Sequence, residues 1–354
     1  MSAPARWITL ACIALACLAL ACGAKPAPKA SQAEATQNVP RLKTSEEAAK
    51  GSAPLRLASS VWAPFTDVED KPHVALDVVH EALRRSNVAF STQILNFTDT
   101  IVGIREGRFD GSEALWRTPE REKFLLYSNA YLENRLVLLA RVGTDVSTKS
   151  VAELAGKKVG IVQGYAYGPD VDSAAAVVFA RNADEPTNLK ALLRGELDYM
   201  LVDELLVHHL FADQKQKAEL LLVAGQEPIV VRSLHLGLRK ELPGAAEVIA
   251  NFNRAILELA RDGTYNHLLG VRWIATDTDE DGEPELVAHG NQVGSAPPPQ
   301  HYRLAGSTTT KAPHFVIEGR TYEDWQSVPE NYKVPPKEGI ERFQPATNLV
   351  LVEF

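Results

Sequence analysis

The run Thr118-Pro119-Glu120-Arg121 combines residue types that could bind a small anion. A Thr hydroxyl can cap a helix, and Pro suits the first helical position because its missing N–H would have no partner there. Arg121 would then lie in the first turn, beside backbone N–H groups at the positive end of the helix dipole. A planar guanidinium in that position can hold both oxygens of a carboxylate. The alternative is a capped surface helix whose Arg121 lies in solvent.

A second group of polar side chains forms the pattern D-x-D-x-D-G-x-x-E. Its acidic members are Asp277, Asp279, Asp281 and Glu285, and Gly282 would permit a sharp turn. Closely spaced carboxylates on such a loop are ligands that Ca²⁺ prefers, although the Glu of an EF-hand is missing from the twelfth position. We interpret the segment as a solvated acidic linker, with a calcium-binding hairpin as the alternative.

Other motifs of catalysis and cofactor binding are missing from the sequence. No GxSxG, HExxH or CxxC pattern occurs, and the glycines at 160, 164 and 168 are not followed by the Gly-Lys-Ser/Thr of a phosphate-binding loop. We therefore expect no cofactor. The net charge of −8 argues against nucleic acid as a partner and against a polybasic membrane-binding patch.

Residues 1–21 have the composition of a bacterial signal peptide. Arg6 precedes an uncharged run of about fifteen residues, which suits a signal-peptide core better than a membrane-spanning helix of about twenty. The run ends in LALAC at 18–22, which resembles the processing site of bacterial lipoproteins. We predict that cleavage exposes Cys22 for lipidation; cleavage nearby without a lipid is the alternative.

The three cysteines of the chain, Cys12, Cys17 and Cys22, lie in the leader or directly after it, so the folded part has no disulfide and no thiolate metal site. Residues 22–53 are rich in Ala, Lys, Pro, Ser and Glu and poor in large apolar side chains. Such a segment cannot bury enough surface to offset its chain entropy. We predict a disordered tether that holds the folded body away from a membrane surface.

The chain of 354 residues, 45% hydrophobic and 23% charged, can form two globular domains and a small third. Apolar periodicity and turn residues predict alternating strands and helices, and therefore an α/β fold with mostly parallel sheets. The predicted strands cover 54–58, 90–95, 109–115, 135–140, 158–162, 197–202, 218–223 and 234–238. The predicted helices cover 74–85, 98–106, 150–154, 169–179, 189–194, 203–211 and 243–261.

The composition changes after Trp273. Residues 274–354 contain the acidic loop, a Pro-rich run at 297–299, and strand-like pieces at 315–317 and 349–352. We interpret this part as an appended small β-rich module or a partly ordered extension.

Seven short motifs, separated along the chain, carry a family resemblance. In order, they are WAPF (62–65), LDVV (76–79), GRFDG (107–111), TPER (118–121), LAGKKVG (154–160), LRGELD (193–198) and DGTY (262–265). Together they make residues 54–273 resemble the bacterial extracellular solute-binding proteins of the polar amino-acid type, family 3. Members of that family are soluble receptors of ABC importers.

The resemblance implies a type II periplasmic-binding-protein fold, in which two α/β lobes joined by two crossing strands close on a ligand. Lobe 1 would comprise 54–140 with 237–273, and lobe 2 would comprise 141–236. The resemblance also implies a monomeric periplasmic protein without catalytic activity that delivers its solute to an ABC permease.

Individual residues receive roles from the same resemblance. Arg121 matches the arginine that binds the α-carboxylate of an amino acid, and Asp203 matches the acid that binds its α-ammonium from the opposite lobe. Trp62 matches an aromatic that packs on the ligand's side chain, and Thr118 belongs to the same ligand-binding set. A zwitterion needs one cation and one anion that meet it together only when the lobes close. From its sequence position alone, Asp203 could instead be a helix N-cap.

Three residues depart from the family's usual pocket. Small hydroxyl residues usually precede the TPER turn, where this chain has Glu113 and Trp116, and Tyr165 replaces the usual Thr after Gly164. We therefore predict a reshaped ligand-binding pocket with a larger aromatic wall and an additional acid or base. The ligand could be cationic or could differ from an amino acid, or the site could be degenerate.

The main hypothesis is a lipid-anchored periplasmic receptor for an amino acid or a similar small polar solute. One alternative is an enzyme that resembles the cyclohexadienyl dehydratases, which share this fold, with Glu113 as its general acid. Another alternative is a ligand-sensing cell-surface lipoprotein whose partner is a protein that contacts residues 274–354.

Overall fold

A computed structural model describes residues 53–71, 73–207, 221–297, 302–304 and 313–335. The predicted signal peptide, the tether up to residue 52, Cys22 and the strand at 349–352 lie outside these residues. Within the described ranges, no helix combines the length and the apolar character needed to cross a membrane.

The helices and strands are numbered here in chain order. The helices are α1 (Val74–Arg85), α2 (Phe97–Arg105), α3 (Pro119–Glu122), α4 (Pro169–Asp172), α5 (Glu185–Leu193), α6 (Ala245–Arg261) and α7 (Thr264–Leu269). The strands of the main sheet are β1 (Leu55–Ser60), β2 (Phe90–Leu95), β3 (Gly111–Trp116), β4 (Leu125–Tyr127), β5 (Leu132–Arg141), β6 (Lys158–Val162), β7 (Val178–Asn182), β8 (Tyr199–Asp203), β9 (Leu222–Ala224) and β10 (Val230–Arg239).

Lobe 1 contains β1–β4, α1–α3, α6 and α7. Its parallel strands β2, β1 and β3 lie side by side, and α1 packs against α6 and α7. The sequence explains this arrangement, because α1 and α6 each have one strongly apolar face, and that face is buried. Alternate residues of β2 are likewise buried, as expected for a strand with one face on the core.

Lobe 2 contains β6–β9, α4 and α5. Strand β6 pairs in parallel with both β7 and β8. Strand β8 is buried throughout, in agreement with its continuous apolar sequence. The loops after β6 and β7 and the residues after β8 leave the carboxyl ends of these parallel strands, which is where ligands bind in α/β sheets.

Two long strands, β5 and β10, join the lobes, as the resemblance implied. Strand β5 runs from lobe 1 into lobe 2 and β10 returns, so the two are antiparallel to each other. Strand β10 is also antiparallel to β3 and β4, and β5 is antiparallel to β8 and β9. The prediction of mostly parallel sheets is therefore wrong for the centre of the sheet, because chain segments that cross in opposite directions must pair antiparallel.

The predicted helix over 169–179 is also wrong beyond Asp172. Helix α4 ends there, and β7 begins at Val178, which pairs in parallel with Lys158 of β6. Val178 and the aromatic Phe179 suit a strand, and pairing with β6 provides hydrogen-bond partners for their backbone groups. This tertiary pairing overrides the helical propensity of the alanines at 174–176.

The chain after lobe 1 forms a small second sheet, as predicted for a β-rich module. Its strands are β11 (Trp273–Thr276), β12 (Glu285–Ala288), β13 (Tyr302–Arg303), β14 (Phe315–Ile317) and β15 (Arg320–Tyr322), in the order β13-β11-β12-β14-β15. Trp273, Phe315 and Trp325 pack together in its core. Buried Asn266 of α7 donates to the carbonyls of Arg272 and Val287, at 3.1 and 2.9 Å, which ties the module to lobe 1.

Candidate ligand-binding site

A pocket of about 300 Å³, partly open to solvent, lies between the two lobes. Lobe 1 supplies most of its lining and lobe 2 supplies two residues of the loop after β6. The lining residues are Ser60, Trp62, Phe97, Ala114, Trp116, Arg121, Tyr165 and Ala166.

Arg121 reaches this pocket from a capped first turn, as the sequence predicted. Thr118 has extended backbone angles and Pro119 is the first residue of α3. The Thr118 hydroxyl accepts a hydrogen bond from the backbone N–H of Arg121 at 3.1 Å. Thr118 therefore acts on the site by fixing the position of Arg121, and it is not among the residues that line the pocket.

The Arg121 guanidinium is partly desolvated. Its Nη1 donates to the carbonyl oxygen of Trp116 at 2.9 Å, and its Cζ lies 5.1 Å from the ring centre of Phe97. Burial lowers the pKa of Arg121, because a low-dielectric environment disfavours the charged form. Among the described residues no carboxylate forms a salt bridge with it, so the remaining N–H groups of the fork are available to a ligand.

Four aromatic rings form the wall of the pocket. The ring centres of Trp62 and Trp116 are 5.6 Å apart, and each is 5.5 Å from the ring of Tyr165. Phe97 is 5.8 Å from Tyr165. These edge-to-face distances are favourable for aromatic contact. Since Tyr165 is the contribution of lobe 2 and the others belong to lobe 1, the cluster joins the lobes across the cleft.

Tyr165 is held by the loop that follows β6. Gly164 starts the loop with φ +82°, a conformation that favours glycine, and the Tyr167 hydroxyl accepts from the N–H of Val162 at 2.9 Å. The Tyr165 hydroxyl donates to the carboxyl group of Glu185 at the start of α5. Burial raises the pKa of Glu185 to about 7.

Asp203 lies behind the aromatic wall and is 3% exposed. Its Oδ2 accepts from Asn134 Nδ2 at 2.9 Å, and its Oδ1 accepts from the N–H of Leu205 at 2.7 Å. The second bond is the helix N-cap that the sequence left open as an alternative. Asn134 Oδ1 in turn accepts from Trp116 Nε1 at 2.7 Å. Burial raises the pKa of Asp203 to about 8, so the neutral form is favoured at neutral pH.

Glu113 is completely buried in lobe 1 and does not line the pocket. Its carboxylate accepts hydrogen bonds from Ser59 Oγ at 2.7 Å and Thr92 Oγ1 at 2.5 Å, and His80 Nε2 lies 3.8 Å away. The alternation of β3 explains this position, because successive side chains of a strand point to opposite faces. Ala114 and Trp116, which share the opposite face, line the pocket.

Sequence reasoning missed Phe97 and Glu185 as neighbours of the site. Phe97 follows β2 and Glu185 follows β7, and both strands end at the edge that faces the cleft. The carboxyl ends of parallel strands are the usual place for ligands, so the topology, once established, would have directed attention to both residues.

The acidic loop brings four carboxylates together outside this site. One ligand atom from each side chain lies within 4.8 Å of all the others. Asp277 Oδ2 accepts from the N–H of Gly282 at 2.8 Å, and Glu285 Oε2 accepts from the N–H and the hydroxyl of Thr278, both at 2.7 Å. These bonds also fit a well-ordered turn without a metal. The calcium alternative for Asp277, Asp279, Asp281 and Glu285 stays a prediction.

Comparison with known proteins identifies the class. The family model of the bacterial extracellular solute-binding proteins, family 3, matches residues 59–275. The match covers more than half of the chain, so the protein belongs to this family, as its motifs indicated.

Two relatives and one solved structure are similar to the chain. The L-cystine-binding protein TcyJ of Escherichia coli (strain K12) is 30% identical over 159 residues, 45% of this chain and 57% of the relative. The lysine/arginine/ornithine-binding periplasmic protein of the same strain is 25% identical over 219 residues, 59% of this chain and 83% of the relative. The chain thus spans little more than half the length of the first.

The structural comparison supports the fold. The P235GK mutant of ArgBP from T. maritima has a TM-score of 0.51 and 21% sequence identity, over 61% of this chain and 93% of that one. The α/β fold of type II periplasmic binding proteins is therefore confirmed. Both relatives are named as binding proteins, and the second is named as periplasmic.

Proposed function

We propose that the protein is a periplasmic receptor that binds an amino acid or a similar small polar solute between its lobes. The solute carries a carboxylate that Arg121 holds, and Trp62, Trp116 and Tyr165 enclose the rest of it. The closed form is then recognised by an ABC permease. The two relatives are named for binding L-cystine and for binding lysine, arginine and ornithine, which supports a small solute of this kind.

One observation carries the proposal: Arg121 lines the pocket and forms no salt bridge among the described residues. A partly buried cation whose partners are one carbonyl oxygen and one aromatic ring, with no carboxylate, is incompletely compensated for its lost hydration. A carboxylate that accepts from its free N–H groups would contribute about 1.5–3 kcal/mol per charged hydrogen bond. Ligand binding therefore offsets a free-energy cost that the unliganded protein carries.

Thermal unfolding of the mature chain against amino acids, keto acids, polyamines and simple carboxylates tests this proposal. A ligand at about 100 times its Kd stabilises the folded state by about 2.7 kcal/mol, which raises Tm by several degrees. Arg121→Ala should remove the shift. Arg117→Ala is the matched control, because Arg117 is exposed and pairs with Glu122. If no compound shifts the wild type, or Arg121→Ala responds as the wild type does, the proposal is wrong.

We also infer that Cys22 carries a lipid that anchors the receptor to a membrane. This inference is drawn from the sequence, since Cys22 lies outside the described residues. Cys22→Ser should abolish palmitate labelling and transfer the protein to the soluble periplasmic fraction, whereas Cys17→Ser in the leader should retain both labelling and membrane association. Undiminished labelling of Cys22→Ser would contradict the inference.

The two alternative functions receive no specific support. Glu113, the acid that the dehydratase alternative requires, is buried away from the pocket lining. Turnover of prephenate in the same ligand screen would nevertheless favour the enzyme. The ligand-sensing alternative requires a protein partner that contacts residues 274–354. It would be favoured if deletion of those residues left ligand binding unchanged but abolished the response of the cell to the ligand.

A further inference from the structure

We propose that the pocket selects carboxylates that have a flat apolar body and lack an ammonium group, in preference to zwitterionic amino acids. The inference rests on the proposed receptor function and narrows the class of its ligand. It follows from three features. The pocket lining has a cation, Arg121, but no acidic residue; the nearby acid Asp203 is buried behind Trp116; and aromatic rings surround the space beside Arg121.

The first feature is the charge of the pocket. Arg121 provides a cationic fork, but none of the eight lining residues is acidic. An α-ammonium placed beside the aromatic wall would lose its hydration and would meet ring faces but no carboxylate, so its charge would be only partly compensated. A ligand with a carboxylate alone needs only the partner that the pocket contains.

The second feature is the position of Asp203, the acid that could have provided the missing charge. Both of its carboxyl oxygens already accept hydrogen bonds, one from Asn134 and one from the N–H of Leu205. The indole of Trp116 lines the pocket and donates through Nε1 to Asn134. An ammonium could reach Asp203 only if Trp116 moved and the Asn134 hydrogen bonds were broken.

Glu185 is the other acid associated with the wall, and it is also occupied. Its carboxyl group accepts from the hydroxyl of Tyr165, and it does not line the pocket. Burial raises its pKa to about 7, which further weakens it as a partner for a cation at neutral pH.

The third feature is the aromatic enclosure. Trp62, Trp116, Tyr165 and Phe97 present rings rather than polar groups to the space beside Arg121. A ring in the ligand can make favourable edge-to-face or offset contacts with them in addition to its apolar burial. The chemistry of the lining therefore matches an aromatic or similarly flat monocarboxylate.

Matched ligand pairs that differ only by the α-ammonium test the proposal. Isothermal titration of the mature wild-type chain would compare 3-phenylpropanoate with L-phenylalanine, and indole-3-propanoate with L-tryptophan. We expect the acid without the amine to bind at least about 10-fold more tightly in each pair. 2-Phenylethylamine, which has the ring and the ammonium but no carboxylate, should not bind.

The outcomes separate this proposal from the receptor function. If an amino acid binds as tightly as its partner without the amine, or more tightly, the selectivity is wrong and the receptor function stands. If none of these five compounds binds, the selectivity is wrong, and the wider thermal-unfolding screen decides the receptor function. If the acid without the amine binds more tightly in each ligand pair, the selectivity and the receptor function are both supported.

Trp116 provides a gain-of-function test of the same idea. Trp116→Ser removes the indole that separates the pocket from Asn134 and Asp203, so it should shift the preference within each pair toward the amino acid by about 10-fold or more. Trp116→Phe keeps a ring there and should retain the wild-type preference. An unchanged ratio in Trp116→Ser with a native circular-dichroism spectrum would overturn the role of the indole; if that variant does not fold, the wild-type ratios still decide the proposal.

Discussion

At the scale of single residues, burial acts in the same sense on the two groups expected to bind a zwitterion. It lowers the pKa of Arg121 and raises that of Asp203 to about 8, so it disfavours the charged form of both. Arg121 retains free donors at the pocket, and a ligand carboxylate would stabilise its charge. Both carboxyl oxygens of Asp203 already accept hydrogen bonds, from Asn134 and from the backbone, so a ligand ammonium would not stabilise its charge in the same way.

The raised pKa of Asp203 predicts how stability depends on pH. An unfolded Asp ionises near pH 4, whereas Asp203 in the folded protein holds its proton until about pH 8. Between these values the folded state binds one more proton, so the contribution of Asp203 to the unfolding free energy falls by up to about 1.4 kcal/mol per pH unit. Asp203→Asn cannot ionise, so its stability should improve relative to the wild type as pH rises from 5 to 8.

Urea denaturation at pH 5, 6, 7 and 8 measures this difference. Asp70→Asn, at an exposed position, is the control and should follow the wild type at every pH. A constant difference between Asp203→Asn and the wild type across this range would mean that Asp203 does not take up a proton on folding.

The sequence predicts some residues of the site better than others. The Thr118 cap and the entry of Arg121 into the pocket follow from four adjacent residues, so local rules suffice. Whether Asp203 faces the ligand depends on Asn134 and Trp116, which are distant in sequence and meet only in the folded protein. No local pattern encodes that contact.

At the scale of elements, prediction succeeds where one periodicity decides the structure. Helix α1 and strands β2 and β6 begin and end where the sequence predicts, because each has a clear apolar pattern and a turn on either side. The segment 169–179 fails because its alanines favour a helix while β6 offers an unpaired edge to Val178 and its neighbours. Pairing with β6 determines the structure of this segment, and that tertiary contact cannot be predicted from the local sequence pattern.

The relative direction of β5 and β10 is another feature that the apolar periodicity of the sequence does not predict. Both strands were predicted as strands, yet their antiparallel pairing follows from the path of the chain between the lobes. Asn134 of β5 lies opposite Arg232 of β10, in the pair of strands that joins the lobes. Its side chain also donates to Asp203 behind the pocket, so the same residue belongs to the hinge and to the surroundings of the site.

At the scale of the whole molecule, hydrogen bonds attach the small C-terminal module to lobe 1. Asn266 of α7 bonds to Arg272 and Val287, and Arg261 of α6 donates to the carbonyl of Thr278. A hinge motion about β5 and β10 should therefore move lobe 2 against lobe 1 and the module as one body. The module enlarges the body that contains lobe 1, and none of its described residues lines the pocket.

Closure of the lobes should depend on Tyr165, because its ring, on lobe 2, contacts three rings of lobe 1. Without that ring the closed form loses three aromatic contacts, while the open form loses none. Tyr165→Ala should therefore show a larger radius of gyration in small-angle X-ray scattering and bind 3-phenylpropanoate about 10-fold more weakly. Tyr165→Phe keeps the ring and loses only the bond to Glu185, so it should scatter as the wild type does. Wild-type scattering and affinity in Tyr165→Ala would show that closure does not use this contact.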